Sequence, residues 1–180
     1  MAEFKQLTPT SWRERDDTNE AFVHLDRGTG RLVHTSGDDW AGVFLSVTLD
    51  ARVPKNVQDL FEVARGTLLY GHYFYPLYTL GEEQLHRVAD AAAVHRYEQL
   101  GGRRTHRGEW PTFKARIRWL IEHGAIPQDE VRRWNAYREL RNITSHPQMQ
   151  SLVMPGDALR SLQMVAASVN AIFRPATLRR

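Results

Sequence analysis

The sequence contains no cysteine, only three lysines, and no apolar run near the roughly twenty residues that a membrane-spanning helix needs. Without thiols, disulfides and thiolate catalysis are excluded, and a reducing compartment is the natural setting. The opening Met1-Ala-Glu-Phe-Lys5-Gln6 has no apolar core behind a basic flank, so it does not read as a secretory signal. A cytoplasmic protein with no membrane partner is expected. The eight histidines include no pair at His-x3-His spacing, and no carboxylates pair at ligand spacing. Neither a metal site nor a cofactor is therefore expected. Gly28-Thr29-Gly30 lacks the remainder of any phosphate-binding loop and reads as a turn.

What is present is a 180-residue chain, 42% hydrophobic with five tryptophans, which is enough for one well-cored domain and an appendage. The net charge is only +3, but the scarcity of lysine leaves 21 arginines carrying nearly all the positive charge. Arginine forks match phosphates bidentately and stack on bases, which suits RNA. Codon bias towards arginine would give the same composition, so RNA is permitted by the charge and not demanded by it.

Residues 1–52 differ in character from the rest. Phe22-Val-His-Leu25 and Arg31-Leu-Val-His-Thr35 flank the turn residues Asp26 to Gly30, a pattern for a β-hairpin. Trp40 to Leu49 is a further apolar, β-branched run that reads as a strand. An isolated hairpin is marginal in water, so this segment is expected to dock on the helical body. From Pro54 onward the repeat changes to three and four. Val57, Leu60, Phe61, Ala64, Leu68, Gly71 and Tyr75 predict one helix ending before Pro76. Its aromatic end (Tyr70, Tyr73, Phe74, Tyr75, Tyr78) suits a core or a dimer interface better than base stacking. Thr79-Leu-Gly-Glu82 has the form of a capping box opening a second helix to Leu100, with Leu85, Val88, Ala89, Ala92 and His95 on its core stripe. Glu82 borders that stripe. Gly101 to Glu109 is a basic connector with Arg103, Arg104 and Arg107 as candidate RNA contacts. Pro111 opens a short helix with Phe113, Ile117, Leu120 and Ile121 inward, and Gly124 stops it. A fourth helix starts at Pro127, and a fifth at Pro155 carries Leu159, Leu162, Ala166, Val169 and Phe173.

The predicted architecture is mainly α: a bundle of about five helices over 53–175, with a small hairpin-like appendage at 1–52 and a basic tail at 176–180.

The fourth helix ends in Arg141-Asn142-Ile143-Thr144-Ser145-His146-Pro147. At 100° per residue, Val131, Trp134, Tyr137 and Leu140 form its apolar arc, and Arg141 falls between Trp134 and Tyr137. A guanidinium on that arc needs a partner or a cavity. Pro147 disfavours the α conformation at His146, so the imidazole falls just past the helix end. Histidine is the side chain best suited to moving protons near neutral pH. Ser145 beside His146 does not make a catalytic triad, since no acid is identifiable to orient the pair.

Arg141-Asn142-x3-His146 resembles the R-x4-6-H motif of the HEPN superfamily, small helical domains that include metal-independent ribonucleases. The resemblance covers roughly residues 53–175. It implies RNA as substrate and Arg141, Asn142 and His146 as the catalytic set; Glu82, which borders the core stripe, and Ser145 and Arg138 beside the motif are the candidates for a supporting role. It also implies a homodimer that sets two motifs side by side, and a toxin or phage-defence setting with an antitoxin or defence-system partner. Gln148 stands where some toxin-type motifs carry a tyrosine that a partner enzyme modifies. The rival reading is a non-catalytic helical module that binds a partner protein or RNA. In it, Arg141 pairs with an acid such as Glu82 and His146 caps a carbonyl.

Overall fold

The computed structural model describes residues 4–103, 110–144 and 153–174, with backbone alone at position 21 and at 140–144. Its architecture is mainly helical, with a two-stranded antiparallel hairpin near the N-terminus. Strand β1 (Val23–Leu25) pairs with β2 (Leu32–His34) in the register Val23↔His34, Leu25↔Leu32. The turn between them is held by Asp26, whose carboxylate accepts from Gly28 N and Thr29 Oγ1, and by Gly30 at φ 67°.

Helix α1 (Gly37–Leu45) replaces the strand expected at Trp40 to Leu49. The β-branched residues suggested a strand, but Trp40, Phe44 and Val47 recur at the helical three-to-four spacing. The Ser36 hydroxyl caps the helix by accepting from Asp39 N at 3.1 Å. Phe44 is wholly buried in the main core, with Trp40 against it at 4.8 Å between ring centroids. The Arg65 guanidinium donates to the carbonyls of Leu45 and Val47, both at 3.1 Å, so the end of α1 is satisfied from α2.

Helix α2 (Lys55–Tyr70) buries Val57, Phe61, Ala64 and Leu68 as predicted, but it stops five residues before the expected Tyr75, and Leu60 is exposed. The cause lies far away in sequence. Asn19 Nδ2 donates to the carbonyls of Gly71 and His72, each at 3.0 Å, and the Asp16 carboxylate accepts from Tyr75 N at 2.8 Å. Groups that a continuing helix would have paired internally are thus paired to the N-terminal segment. Gly71 also lies so close to Tyr78 that a Cβ there would sit 2.5 Å from the ring.

Helix α3 (Leu77–Gln99) has Pro76 at its N-cap position, so Thr79 lies inside the helix and forms no capping box. Its hydroxyl instead accepts from Val153 N at 3.3 Å. This helix is the axis of the bundle, packed against α2, α4 (Phe113–Glu122), α5 (Val131–Thr144) and α6 (Pro155–Ile172). Ala89, Ala92 and Ala93 keep it narrow enough for neighbours on several sides, and at Gly81 a Cβ would lie 2.5 Å from Leu68. His95, expected on the core stripe, is half-buried and hydrogen-bonds the Asn56 side chain. The buried histidine of this helix is His86.

Helix α4 is capped by Thr112 and ends before Gly124 at φ 70°. A turn over 127–130 precedes α5, which begins at Val131 and not at Pro127. Asn170 on α6 ties the chain before α2 to the bundle, accepting from Asp50 N at 2.7 Å and donating to the Thr48 carbonyl at 3.2 Å. Among the described residues no helix is long and apolar enough to cross a membrane.

Candidate functional site

Helix α5 carries Arg141 and Asn142, the first residues of the motif. Trp134 and Tyr137 are buried as the apolar arc requires, and the helix is continuous to Thr144. The backbone of Arg141 and Asn142 therefore lies in its last turn, seven and eight residues after Trp134. Their side chains, and all of Ser145 and His146, lie outside the described residues, as do Arg104 and Arg107.

The first half of α5 is locked to α6 by a buried polar chain. Ser168 Oγ donates to Glu130 Oε2 at 2.7 Å, and the Tyr137 hydroxyl meets the same Ser168 oxygen at 3.1 Å. Since the Ser168 proton is engaged by the carboxylate, Tyr137 is the donor to Ser168. Burial holds the Tyr137 phenol above its ordinary range, so it remains a donor at any physiological pH. Arg138, expected in a supporting role, pairs with the neighbouring Glu139 at 3.1 Å near the surface. A pair at that spacing across solvent is worth little.

Glu82 lies on α3 where the sequence indicated a carboxylate bordering the core. Its partner is a hydroxyl: Ser161 Oγ on α6 donates to Glu82 Oε1 at 2.7 Å. Burial raises the Glu82 pKa, the Ser161 bond opposes that rise, and the Asp157 charge adds to it. No ion pair to Glu82 occurs among the described residues.

One turn further along the same face of α3 stands His86, which no motif singled out. It is 5% exposed, and its Nδ1 is buried without a hydrogen-bond partner. Desolvation pulls its pKa down to about 4, so the ring is neutral at pH 7. The signal available in the sequence was the alanine run 91–93, which marks a helix buried on more than one side and places His86 on the second buried face. Glu82 and His86 at i and i+4 give α3 a polar step in an apolar wall, a carboxyl that gains protons easily beside an imidazole that resists them.

Arg103, the described member of the basic connector, is exposed, and its carbonyl accepts from the Tyr97 hydroxyl at 3.1 Å. Among the described residues there is no group of three or more histidines or carboxylates that could hold a metal ion. The chain matches no family model, no curated protein and no solved structure.

Proposed function

We propose that the protein is a metal-independent endoribonuclease of the toxin or phage-defence type, acting in the cytoplasm as a homodimer. The observation that carries the reading is α5, a helix packed in the bundle by Trp134 and Tyr137 and running unbroken through Arg141 and Asn142 to Thr144, two residues before His146 in the sequence. In this chemistry RNA supplies its own nucleophile. The 2′-oxygen attacks phosphorus, the bond to the 5′-oxygen breaks, and the products are a 2′,3′-cyclic phosphate and a 5′-hydroxyl. His146 takes the proton of the 2′-hydroxyl. Arg141 offers two N–H donors to the phosphate oxygens as charge builds on them, and Asn142 orients the imidazole or a phosphate oxygen. The leaving oxygen needs a proton from a second acid, which the His146 of a second protomer supplies across a two-fold axis. Tyr70 and Tyr73 remain exposed at the end of α2 and suit that interface, whereas Tyr75 and Tyr78 are consumed by the chain's own core.

The test is cleavage of structured and unstructured RNA in chelator. Wild type is expected to leave cyclic phosphate ends, and His146→Ala to lose about 10² to 10⁴ in rate. Cleavage that survives in His146→Ala, or that needs added metal, overturns the reading. A strictly monomeric mass at micromolar concentration removes the two-histidine arrangement.

The rival, a non-catalytic binding module, draws on the hairpin, where Leu25 and Leu32 face each other across the strands and both remain exposed. RNA binding or partner capture without cleavage would favour it.

A further inference from the structure

We infer that the cleft lined by the last turns of α3, Trp110, Pro111 and the α4 residue Arg116 binds an unpaired base of single-stranded RNA, stacked on Trp110. The inference takes its class of ligand from the RNA reading above but concerns residues away from the motif. Trp110 is 61% exposed. It rims a shallow cleft whose other walls are Val94, Tyr97, Glu98, Pro111 and Arg116. An indole left in solvent beside a rigid proline is a flat, low-entropy platform, and every nucleobase has a π-face to lay on it.

The cleft is built and not incidental. Gly102 N donates to the Tyr97 carbonyl at 2.9 Å, and a Cβ at Gly102 would lie 2.4 Å from the Tyr97 ring, so the chain crosses directly over that ring. With the Tyr97 hydroxyl bound to its carbonyl, Arg103 is fixed beside the cleft. Tyr97 also meets Trp119 edge-on at 4.8 Å, and Trp119 stacks on the exposed His123 at 3.6 Å and 18°. The buried Tyr97 ring thus forms the floor between Trp110 in the cleft and the Trp119–His123 stack.

Charge selects the partner. Over 90–103 and 110–123 the cations are Arg96, Arg103, Lys114, Arg116 and Arg118, against the carboxylates Asp90, Glu98 and Glu122. Glu122 is already paired to Arg118 at 2.8 Å. Arg116 is anchored by Asp90 at 3.2 Å, yet its Nε is buried without an acceptor. A stacking ring on a segment with a net excess of cations, with Arg103 exposed nearby, fits an anionic strand with exposed bases better than a duplex, whose bases are already stacked, or an apolar peptide.

Fluorescence anisotropy with a labelled twelve-nucleotide oligouridylate tests this, in chelator and in a His146→Ala background so that nothing is cleaved. Trp110→Ala should weaken binding about tenfold or more, and Trp110→Phe should restore most of it. An abasic strand of equal length should bind both proteins alike, because it keeps the charge and lacks the base. Arg103→Ala should lower the salt slope by about 0.7 while leaving the preference for bases over abasic sites intact. Equal RNA affinity in Trp110→Ala and its parent overturns the inference, as does an equal loss for the abasic strand. So does the absence of RNA binding, whether or not a protein partner uses the patch. Cleavage by wild type with no Trp110 dependence would leave the ribonuclease reading standing and end this one; Trp110-dependent binding without cleavage would do the reverse.

Discussion

Ser161 on α6 donates its hydroxyl to the carboxylate of Glu82 on α3 across 2.7 Å, joining the two helices with a bond to an acid that burial makes reluctant to ionise. A carboxyl whose folded pKa is raised contributes stability that is complete below its unfolded pKa and is lost as pH rises through the folded value. Glu82→Gln, which stays neutral, should therefore melt higher than wild type at pH 7 and level with it below about pH 4. Ser161→Ala removes the one bond that favours the ionised form and should widen the gap at pH 7. Thermal melts across pH 3.5 to 8 read both, and a Glu82→Gln advantage independent of pH would contradict the argument.

His86 has the opposite sign. A base whose folded pKa is depressed adds stability above its unfolded pKa, and that stability is lost as pH falls through the folded value. With a folded value of about 4 against an ordinary 6.5, acid should cost on the order of 3 kcal/mol between those limits. His86→Leu should flatten that limb of the stability curve. Imidazole NMR gives a direct check, since the His86 ring should stay neutral at pH 5.5.

Asp16 is 1% exposed, and its two carboxylate oxygens accept from Thr18 N at 3.0 Å and Tyr75 N at 2.8 Å. Asp16→Ala leaves the Tyr75 N–H buried and unmet, with an expected loss of about 1–3 kcal/mol. Asp16→Asn keeps an acceptor and should lose less. Because the same contact docks the N-terminal segment, Asp16→Ala should also speed proteolysis near residues 22–35 ahead of global unfolding. Equal cleavage rates in the two proteins would show the segment to be held by other contacts.

Gly81 offers a test of packing against propensity. Alanine is the better helix former by about 1 kcal/mol, yet a Cβ at Gly81 would lie 2.5 Å from Leu68 and 3.1 Å from its backbone nitrogen. Overpacking of that kind costs about 1–3 kcal/mol, so Gly81→Ala should lower the denaturation midpoint. Gly66→Ala, with open space where its Cβ would fall, should raise it.

The sequence by itself determined the elements whose signals are local. The Asp26 to Gly30 turn brings its own hydrogen bonds, Thr112 and Gly124 bracket α4 with a cap and a left-handed stop, and α6 shows one uninterrupted apolar stripe. The arc of Trp134 and Tyr137 on α5 was legible for the same reason, as was the half-buried place of Glu82. Only the tertiary structure decided the rest. Residues 37–45 are helical because Phe44 fills a core built by α2 and α3, and β-branched neighbours do not outweigh that burial. Helix α2 stops at Tyr70 because Asp16 and Asn19 take over its last backbone groups from more than fifty residues away. His86 became a buried imidazole because α3 is covered on several faces, and a single helical period reports one face at a time.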